Sequence, residues 1–226
     1  GIKLPLSTLA FDMWGRDPSA LVFDTGDGDG ICVGDMRTLA PVPWLDRPTG
    51  QVLVSLKELS GESCGYDPRT LLSSLVERFS QLGLTPMLAS EMEFYLFEAE
   101  RGADGKPIHT QQSDGVDGGQ TYGIEMMQDM AELMHSIRDA ATAQNLPVDT
   151  LIKEAAPSQY EINLYHQPDA LLAADQAVLL QRAIRSVAKT QKMQASFMAK
   201  PFSDLAGNGM HMHCSLLNSD GDNAFN

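Results

Sequence analysis

Several features that would mark a particular class of protein are missing from this 226-residue sequence. Positive charge is scarce, with 16 lysines and arginines against 30 aspartates and glutamates and a formal net charge of −14. Because binding to phosphate backbones needs clustered cations, we expect no nucleic-acid partner. No apolar run reaches the ~18 residues of a membrane-spanning helix, and the start has no secretory signal pattern, so no membrane partner is expected either.

Cysteine is also scarce. The three cysteines, Cys32, Cys64 and Cys214, are scattered and form no CxxC pair. Neither a disulfide framework nor a zinc ribbon is therefore expected. The pattern is typical of a reducing compartment, and we predict a cytoplasmic protein.

The usual ligand-binding loops are missing too. The sequence contains neither GxGxxG nor a Walker loop, GxxxxGK followed by Ser or Thr. The segment GDGDG at 26–30 resembles a calcium loop, but an EF-hand would place Thr25 and Met36 at its first and twelfth positions. An acidic turn is the better interpretation.

Hydrophobic residues make up 43% of the chain, enough for a core in one large domain or two small ones. Three short β-like runs lie in the Gly-, Pro- and Asp-rich first part: 21–24, 30–33 and 51–56. A helix then starts with Asp67 as N-cap and Pro68 at its first position, and Gly83 follows its end. We place a domain boundary before this helix, which divides the chain into 1–65 and 66–226.

The second part alternates helices, predicted over 125–144 and 170–194, with strands that are polar at every second residue. Three strands share this pattern: SEMEFYLFE (90–98), QYEINL (159–164) and MHMHCSL (210–216). Their polar stripes contain Glu91, Glu93, Gln159, Glu161, Asn163, His211, His213 and Ser215, and Glu154 lies just before the second strand. The pattern suits a sheet with one face on helices and one face open to a polar cavity.

Each stripe alone is more often a solvated strand face than a site. In one sheet, however, four carboxylates would converge, raise one another's pKa values and destabilise the fold. Divalent cations remove that repulsion, and a carboxylate-rich site with one imidazole suits Mg²⁺ or Mn²⁺ better than Zn²⁺. Because Mg²⁺ typically binds nucleotide phosphates, the pattern favours a phosphoryl-transfer enzyme.

Four segments together resemble the glutamine synthetase family: TLAPVPW, EMEFYLFE, KEAAPSQYEINL and KPFSDLAGNGMHMHCSL. They occur in the family's order over essentially the whole chain. The resemblance implies an α+β fold, with a β-grasp-like N-terminal domain followed by a catalytic domain whose curved antiparallel sheet is backed by helices. It also implies ATP as a substrate, two Mg²⁺ or Mn²⁺ ions, and an active site between subunits of a homo-oligomer, usually a dodecamer.

The resemblance also implies which residues hold the metals. Glu93, Glu154 and Glu161 would bind the first ion, near the amino-acid substrate. Glu91 and His211 would bind the second ion, near the ATP phosphates.

Substrate contacts follow from the same motifs. Gly207 and the surroundings of His211 would contact glutamate. Asp149, His213 and Ser215 would lie at the ATP site. Asp12, in AFDMWG, would bind the incoming amine from a neighbouring subunit, with Asp27 or Asp29 as further contributors.

The family's chemistry has two steps. ATP phosphorylates the γ-carboxylate of glutamate and leaves as ADP. An amine, deprotonated by an acidic residue, then attacks the γ-glutamyl phosphate and releases phosphate. GQTYGIE, LPVDT and LLNSDGDNAF most resemble the branch that joins glutamate to amines or polyamines such as putrescine. The alternatives are glutamine synthetase proper, which uses ammonia, a non-catalytic structural relative, and a polyamine-binding module without ATP hydrolysis.

Two departures from the family pattern stand out. Ammonia-using members tend to have Asn-Gly-Ser-Gly before the Met-His pair, where this chain has Ala-Gly-Asn-Gly at 206–209. Ala206 removes an amide that could orient the glutamate substrate. The family's later arginines, its glutamate flap and the last carboxylate of the second metal site are also missing. We expect a fragment that lacks roughly the C-terminal half, has an incomplete second metal site and is inactive alone.

Overall fold

The N-terminal part forms short strands. The computed structural model describes residues 1–16, 28–110 and 120–225. The strands there are β1 (Lys3–Pro5), β2 (Asp29–Gly34), β3 (Ala40–Pro41), β4 (Gly50–Gln51) and β5 (Val54–Lys57), with 3-10 helices at Leu6–Leu9 and Met36–Thr38. β2 lies between β1 and β5 in an antiparallel sheet, and β3 pairs with β4. The predicted run 30–33 lies within β2, 51–56 is divided between β4 and β5, and 21–24 lies outside the described residues.

The predicted helix that follows is confirmed as α1 (Pro68–Gln81). The Asp67 carboxylate accepts a hydrogen bond from the backbone N–H of Arg69 at 2.9 Å, which caps the helix. Gly83, with φ of +70°, reverses the chain into the next strand. The apolar stripe of α1 is less buried than its spacing suggests, since Leu71 is 58% exposed.

In the described part of the rest of the chain, six antiparallel strands form one sheet with helices on one face. Its elements are β6 (Thr85–Arg101), β7 (Pro107–His109), α2 (Ile124–Asp129), α3 (Ala131–Ala143), β8 (Val148–Lys153), β9 (Gln159–Leu164), α4 (Ala170–Thr190), β10 (Met193–Ser196) and β11 (Met210–Leu217). The long strand β6 is central: β9 and β7 pair with one edge, and β11 and β10 pair with the other. The predicted α+β class is confirmed.

Two helix predictions need correction. The helix predicted over 125–144 is divided at Met130, whose φ of −107° and ψ of 11° interrupt the helical turn between α2 and α3. The helix predicted to run to residue 194 ends at Thr190. Lys192, with φ of 60°, turns the chain back, and the following residues pair with β6 as β10.

The core lies between the sheet and α3–α4. Its most deeply buried members are Phe94, Leu96, Leu133, Ile137, Tyr160, Ile162, Leu180 and Ile184. Trp44 and Leu53, from the N-terminal part, pack against it. The boundary between 1–65 and 66–226 stays a prediction. Within the described ranges, no helix combines the length and the hydropathy needed to cross a bilayer.

Candidate active site

β6 separates the core from the polar stripe. Phe94 and Leu96 point into the core between sheet and helices. Tyr95 and Phe97, on the opposite face, form a second small apolar cluster with Ala156. Glu91 and Glu93 alternate on this second face, so the strand can carry carboxylates without placing them in the main core.

The strand register brings the polar stripes together. Glu93 on β6 is paired with Glu161 on β9. Glu91 is paired with Asn163 on one side and with His211 on β11 on the other. Directly opposed side chains in an antiparallel sheet lie within about 5.5 Å at Cβ, so these pairs form one patch.

Glu91 is the centre of this patch. One of its carboxylate oxygens lies 3.2 Å from His211 Nδ1, and the other lies 2.8 Å from His213 Nε2. One possible ligand atom from each of Glu91, Glu161 and His211 lies within 4.8 Å of the others. This group takes Glu161 from the first expected ligand set and both members, Glu91 and His211, from the second. The division of ligands between two metals stays a prediction.

The patch is electrostatically uncompensated. Burial raises the pKa of Glu161, and the charges of Glu91, Glu154 and Glu93 raise it further, while a hydrogen bond from Asn163 opposes the shift. Among the described residues, no lysine or arginine side chain forms an ion pair with any of these four carboxylates. The carboxylates therefore need a cation from outside the chain to be ionised together at low cost.

The donor set fits Mg²⁺ or Mn²⁺. Carboxylate oxygens with one imidazole are ligands that both ions accept. The Asn163 Oδ1 atom, beside Glu91 in the sheet, is buried and has no hydrogen-bond partner among the described residues. A buried acceptor without a donor is destabilising, and an ion or its bound water would satisfy it.

Glu154 follows β8 and is held by the turn that leads to β9. Its carboxylate accepts a hydrogen bond from the backbone N–H of Ala155 at 3.2 Å. The preceding residue, Lys153, is fully buried, and its ammonium donates to the backbone carbonyls of Glu154 and Ala156 at 2.6 and 2.7 Å. Desolvation lowers the pKa of Lys153 to about 8. Through these two hydrogen bonds, Lys153 stabilises the turn that positions Glu154.

Asp149 and His213, two of the three residues expected at the ATP site, meet Glu91 at a cavity of about 220 Å³. Glu91, Asp149 and His213 line it together with Tyr165 and His166. The Asp149 carboxylate raises the pKa of Tyr165 by accepting a hydrogen bond from its hydroxyl.

Ser215 lies two residues beyond His213 on β11, opposite Met87, and does not line this cavity in the described part of the chain.

The loop before β11 approaches its surroundings closely at two glycines. A Cβ on Gly207 would lie 2.6 Å from the carbonyl oxygen of Ala199, which is backbone and cannot move aside. A Cβ on Gly209 would lie 2.8 Å from Oε1 of Glu93. The loop therefore lies directly against the site, and Glu93 N–H donates to the Gly209 carbonyl at 3.2 Å.

In the described part of the chain, Asp12 does not lie in this patch. Its carboxylate accepts hydrogen bonds from the backbone N–H groups of Trp14 and Arg16, both at 2.9 Å, and from Arg16 Nε at 2.7 Å. The backbone N–H of Arg16 contributes most to lowering the pKa of Asp12. Asp29 lies in β2, opposite Pro5, and Asp27 lies outside the described residues.

The sequence predicted no role for Gln159, Asn208 or Lys153. All three contact residues or turns that form the site. Gln159 was detectable, because it alternates with Glu161 on the polar stripe. Asn208 and Lys153 carry no comparable signal, since a loop amide and a lone lysine in an apolar run are common.

Comparisons with known proteins agree with this geometry. Residues 65–226 match the model of the glutamine synthetase catalytic domain. The chain is 35% identical to γ-glutamylputrescine synthetase of Escherichia coli (strain K12) over an alignment of 228 positions, which covers 99% of this chain and 48% of that protein. It is 31% identical to glutamate–isopropylamine ligase of Pseudomonas sp over 203 residues, covering 90% of this chain and 44% of that protein.

A solved structure described as a novel glutamine synthase homolog has the same fold. Its TM-score is 0.83 at 21% identity, covering 99% of this chain and 50% of that one. The chain thus spans about half the length of the curated relatives that it matches. The match of the catalytic-domain model over most of the chain shows that it belongs to the glutamine synthetase family.

Proposed function

We propose that the protein containing this chain is an ATP-dependent, ADP-forming ligase. It joins the γ-carboxylate of glutamate to an amine or polyamine through a γ-glutamyl phosphate. The observation that carries the proposal is the convergence of Glu91, Glu161 and His211 within 4.8 Å, beside a cavity lined by Asp149 and His213. Phosphoryl transfer needs positioned charge of this kind.

In this proposal the carboxylates and His211 hold divalent cations. Glu93, Glu154 and Glu161 would bind one ion, and Glu91 and His211 would bind the other. Such ions neutralise the charge of the phosphoryl group that moves from ATP to glutamate.

The chain's own residues orient the reactants around that charge. Asp149 and His213 bind ATP from the cavity beside Glu91, and Ser215 extends this side along β11. Gly207 brings the backbone of the loop against the glutamate substrate, which only a residue without a side chain permits here.

The amine side of the site is proposed to come from another subunit. Asp12 lies in an exposed turn, and its described contacts all stay within 12–16. It would bind and deprotonate the amine at the active site of a neighbouring copy in a homo-oligomer, with a dodecamer as the expected assembly. Two relatives named for putrescine and isopropylamine support an amine over ammonia. The proposed location is the cytoplasm.

The test is ADP formation by the full-length protein with glutamate, ATP and Mg²⁺ or Mn²⁺. Ammonia, putrescine and ethanolamine are compared as acceptors at equal concentrations. We expect activity with at least one organic amine to exceed activity with ammonia. Activity with ammonia alone would replace this proposal by glutamine synthetase proper, and no ADP formation with any acceptor would contradict both.

A further inference from the structure

Gln159, the first residue of β9, has a fully buried side chain whose amide is completely engaged. Its Oε1 accepts a hydrogen bond from the backbone N–H of Ala156 at 3.2 Å. Its Nε2 lies 3.0 Å from Glu93 Oε2, 2.9 Å from the Gly207 carbonyl and 3.2 Å from Asn208 Oδ1. One amide therefore joins the turn after Glu154, a carboxylate of the site and the loop before β11.

Glu93 is fixed from two sides by this arrangement. Its Oε2 is held by the Gln159 amide, and its Oε1 lies against Gly209, where a Cβ would come within 2.8 Å of it. Because the Gln159 amide is itself held by Ala156 and Gly207, its bond to Glu93 restricts the direction of the Glu93 carboxylate. A shift of the loop would therefore change both contacts of the Glu93 carboxylate.

The loop is held in turn by Asn208. Its Nδ2 donates to the carbonyls of Ser196 and Met198 at 3.2 and 2.9 Å, and its backbone N–H donates to the Ala199 carbonyl at 2.8 Å. Its side-chain oxygen, Oδ1, accepts a hydrogen bond from Gln159 Nε2 at 3.2 Å. The loop thus reaches Glu93 in two ways, directly at Gly209 and through the buried Gln159 amide, which holds the carboxylate itself.

We propose that Gln159 is a positioning residue that couples glutamate binding to metal binding, an inference that rests on the proposed function. Glutamate bound against Gly207 fixes the loop. The fixed loop sets the Gln159 amide, which in turn directs the Glu93 carboxylate toward its ion. Coupling between two ligands is reciprocal, so a bound ion also raises the affinity for glutamate.

The experiment measures the dissociation constant of Mn²⁺ by calorimetry, with and without saturating glutamate, in the full-length protein. In the wild type we expect glutamate to tighten Mn²⁺ binding about tenfold, within the usual range of such couplings. In Gln159→Met we expect weaker Mn²⁺ binding. We also expect the ratio of the Mn²⁺ dissociation constants without and with glutamate to be close to one. In Asn208→Ala, where the Gln159–Glu93 bond remains, we expect the ratio to fall while Mn²⁺ affinity without glutamate stays unchanged.

Gln144→Met is the matched control. Gln144 is also a buried amide, 4% exposed, and donates to the Pro41 carbonyl at 2.8 Å, outside the site. A merely structural role for Gln159 predicts that both Met variants lower the melting temperature and leave the ratio as in the wild type.

Three results would overturn the inference. The first is an unchanged ratio in Gln159→Met. If that variant does not fold, an unchanged ratio in Asn208→Ala has the same effect. The third is a wild-type protein that binds both ligands without coupling, which overturns this inference and leaves the proposed function standing. A wild type that binds neither Mn²⁺ nor glutamate contradicts the proposed function itself.

Discussion

Two groups of carboxylates in this chain are stabilised in different ways. Where the N-terminal part meets α1 and α4, Arg69 binds Asp35 and Asp175 at 2.8 and 2.7 Å. Arg37 also pairs with Asp35, at 2.7 Å. On the polar face of the sheet, the only ion-pair partners of Glu91 among the described residues are two histidines. We call these the arginine cluster and the glutamate patch.

The pKa directions show what the difference means. Arg37 and Arg69 hold the pKa of Asp35 well below its usual range, so ionised Asp35 stabilises the fold. Burial and like charges raise the pKa of Glu161, so ionised Glu161 opposes the fold. The arginine cluster is complete within the chain and joins its two parts. The glutamate patch has no lysine or arginine partner among the described residues, which supports the proposed metal site.

Removing a carboxylate from the glutamate patch should have the largest effect, and on activity. Glu91→Gln removes the charge that contacts both histidines, and we expect ADP formation by the full-length protein to fall on the order of 10³-fold. Glu98→Gln is the matched control, since Glu98 is exposed on the same strand and outside the patch. Loss of activity in both variants, or in neither, would contradict the special role of Glu91.

Removing a charge from the arginine cluster should instead affect stability. Arg69→Met leaves Asp175, whose side chain is 4% exposed, without its partner. We expect the free energy of unfolding to fall by about 3 kcal/mol in denaturant titrations. Arg16→Met, which breaks the exposed pair with Asp12, should change it far less, because water screens exposed ion pairs. Equal losses in the two variants would show that the arginine cluster stabilises the fold no more than an exposed ion pair does.

The two groups should respond to pH with opposite signs. The folded pKa of Asp35 lies below its unfolded value of 3.8, so its contribution to stability is present above that pH and is lost as the pH falls below it. The folded pKa of Glu161 lies above 4.5, so the metal-free protein loses stability as the pH rises from 4.5 through the folded pKa.

Glu161→Gln tests this sign and should have the smallest effect. Without metal, we expect the variant to exceed the wild type in unfolding free energy by roughly 1 kcal/mol at neutral pH and to match it near pH 4. The measurement is thermal unfolding in the presence of a chelator. A variant that is less stable than the wild type at neutral pH would show that Glu161 is not under repulsion.

Sequence patterns predicted the elements better than their surroundings. Alternation placed Glu91 and Phe94 on opposite faces of β6, and Asp67 with Pro68 marked the start of α1, because these features depend on neighbouring residues alone. Alternation also placed Met210 and His211 on opposite faces of β11. Met210 is nevertheless 55% exposed, and no described element covers it. A sequence pattern shows which face of a strand is apolar, but it does not show which element packs on that face.

The same limit applies within the site. The polar stripes could be read from the sequence, but their convergence depends on the register that pairs Glu93 with Glu161. The role of Gln159 depends further on the loop before β11, which is distant in sequence. Such contacts follow from tertiary structure and have no local signal.

The most direct test of the account is a Mn²⁺ titration of the full-length protein by calorimetry, with thermal unfolding alongside. We predict saturable binding in the wild type and in Glu98→Gln, and at least tenfold weaker binding in Glu91→Gln. At a Mn²⁺ concentration of about 100 times the dissociation constant, binding should stabilise the wild type by about 2.7 kcal/mol. Absence of binding, or equal binding in all three proteins, would contradict the claim that the glutamate patch is a divalent-metal site.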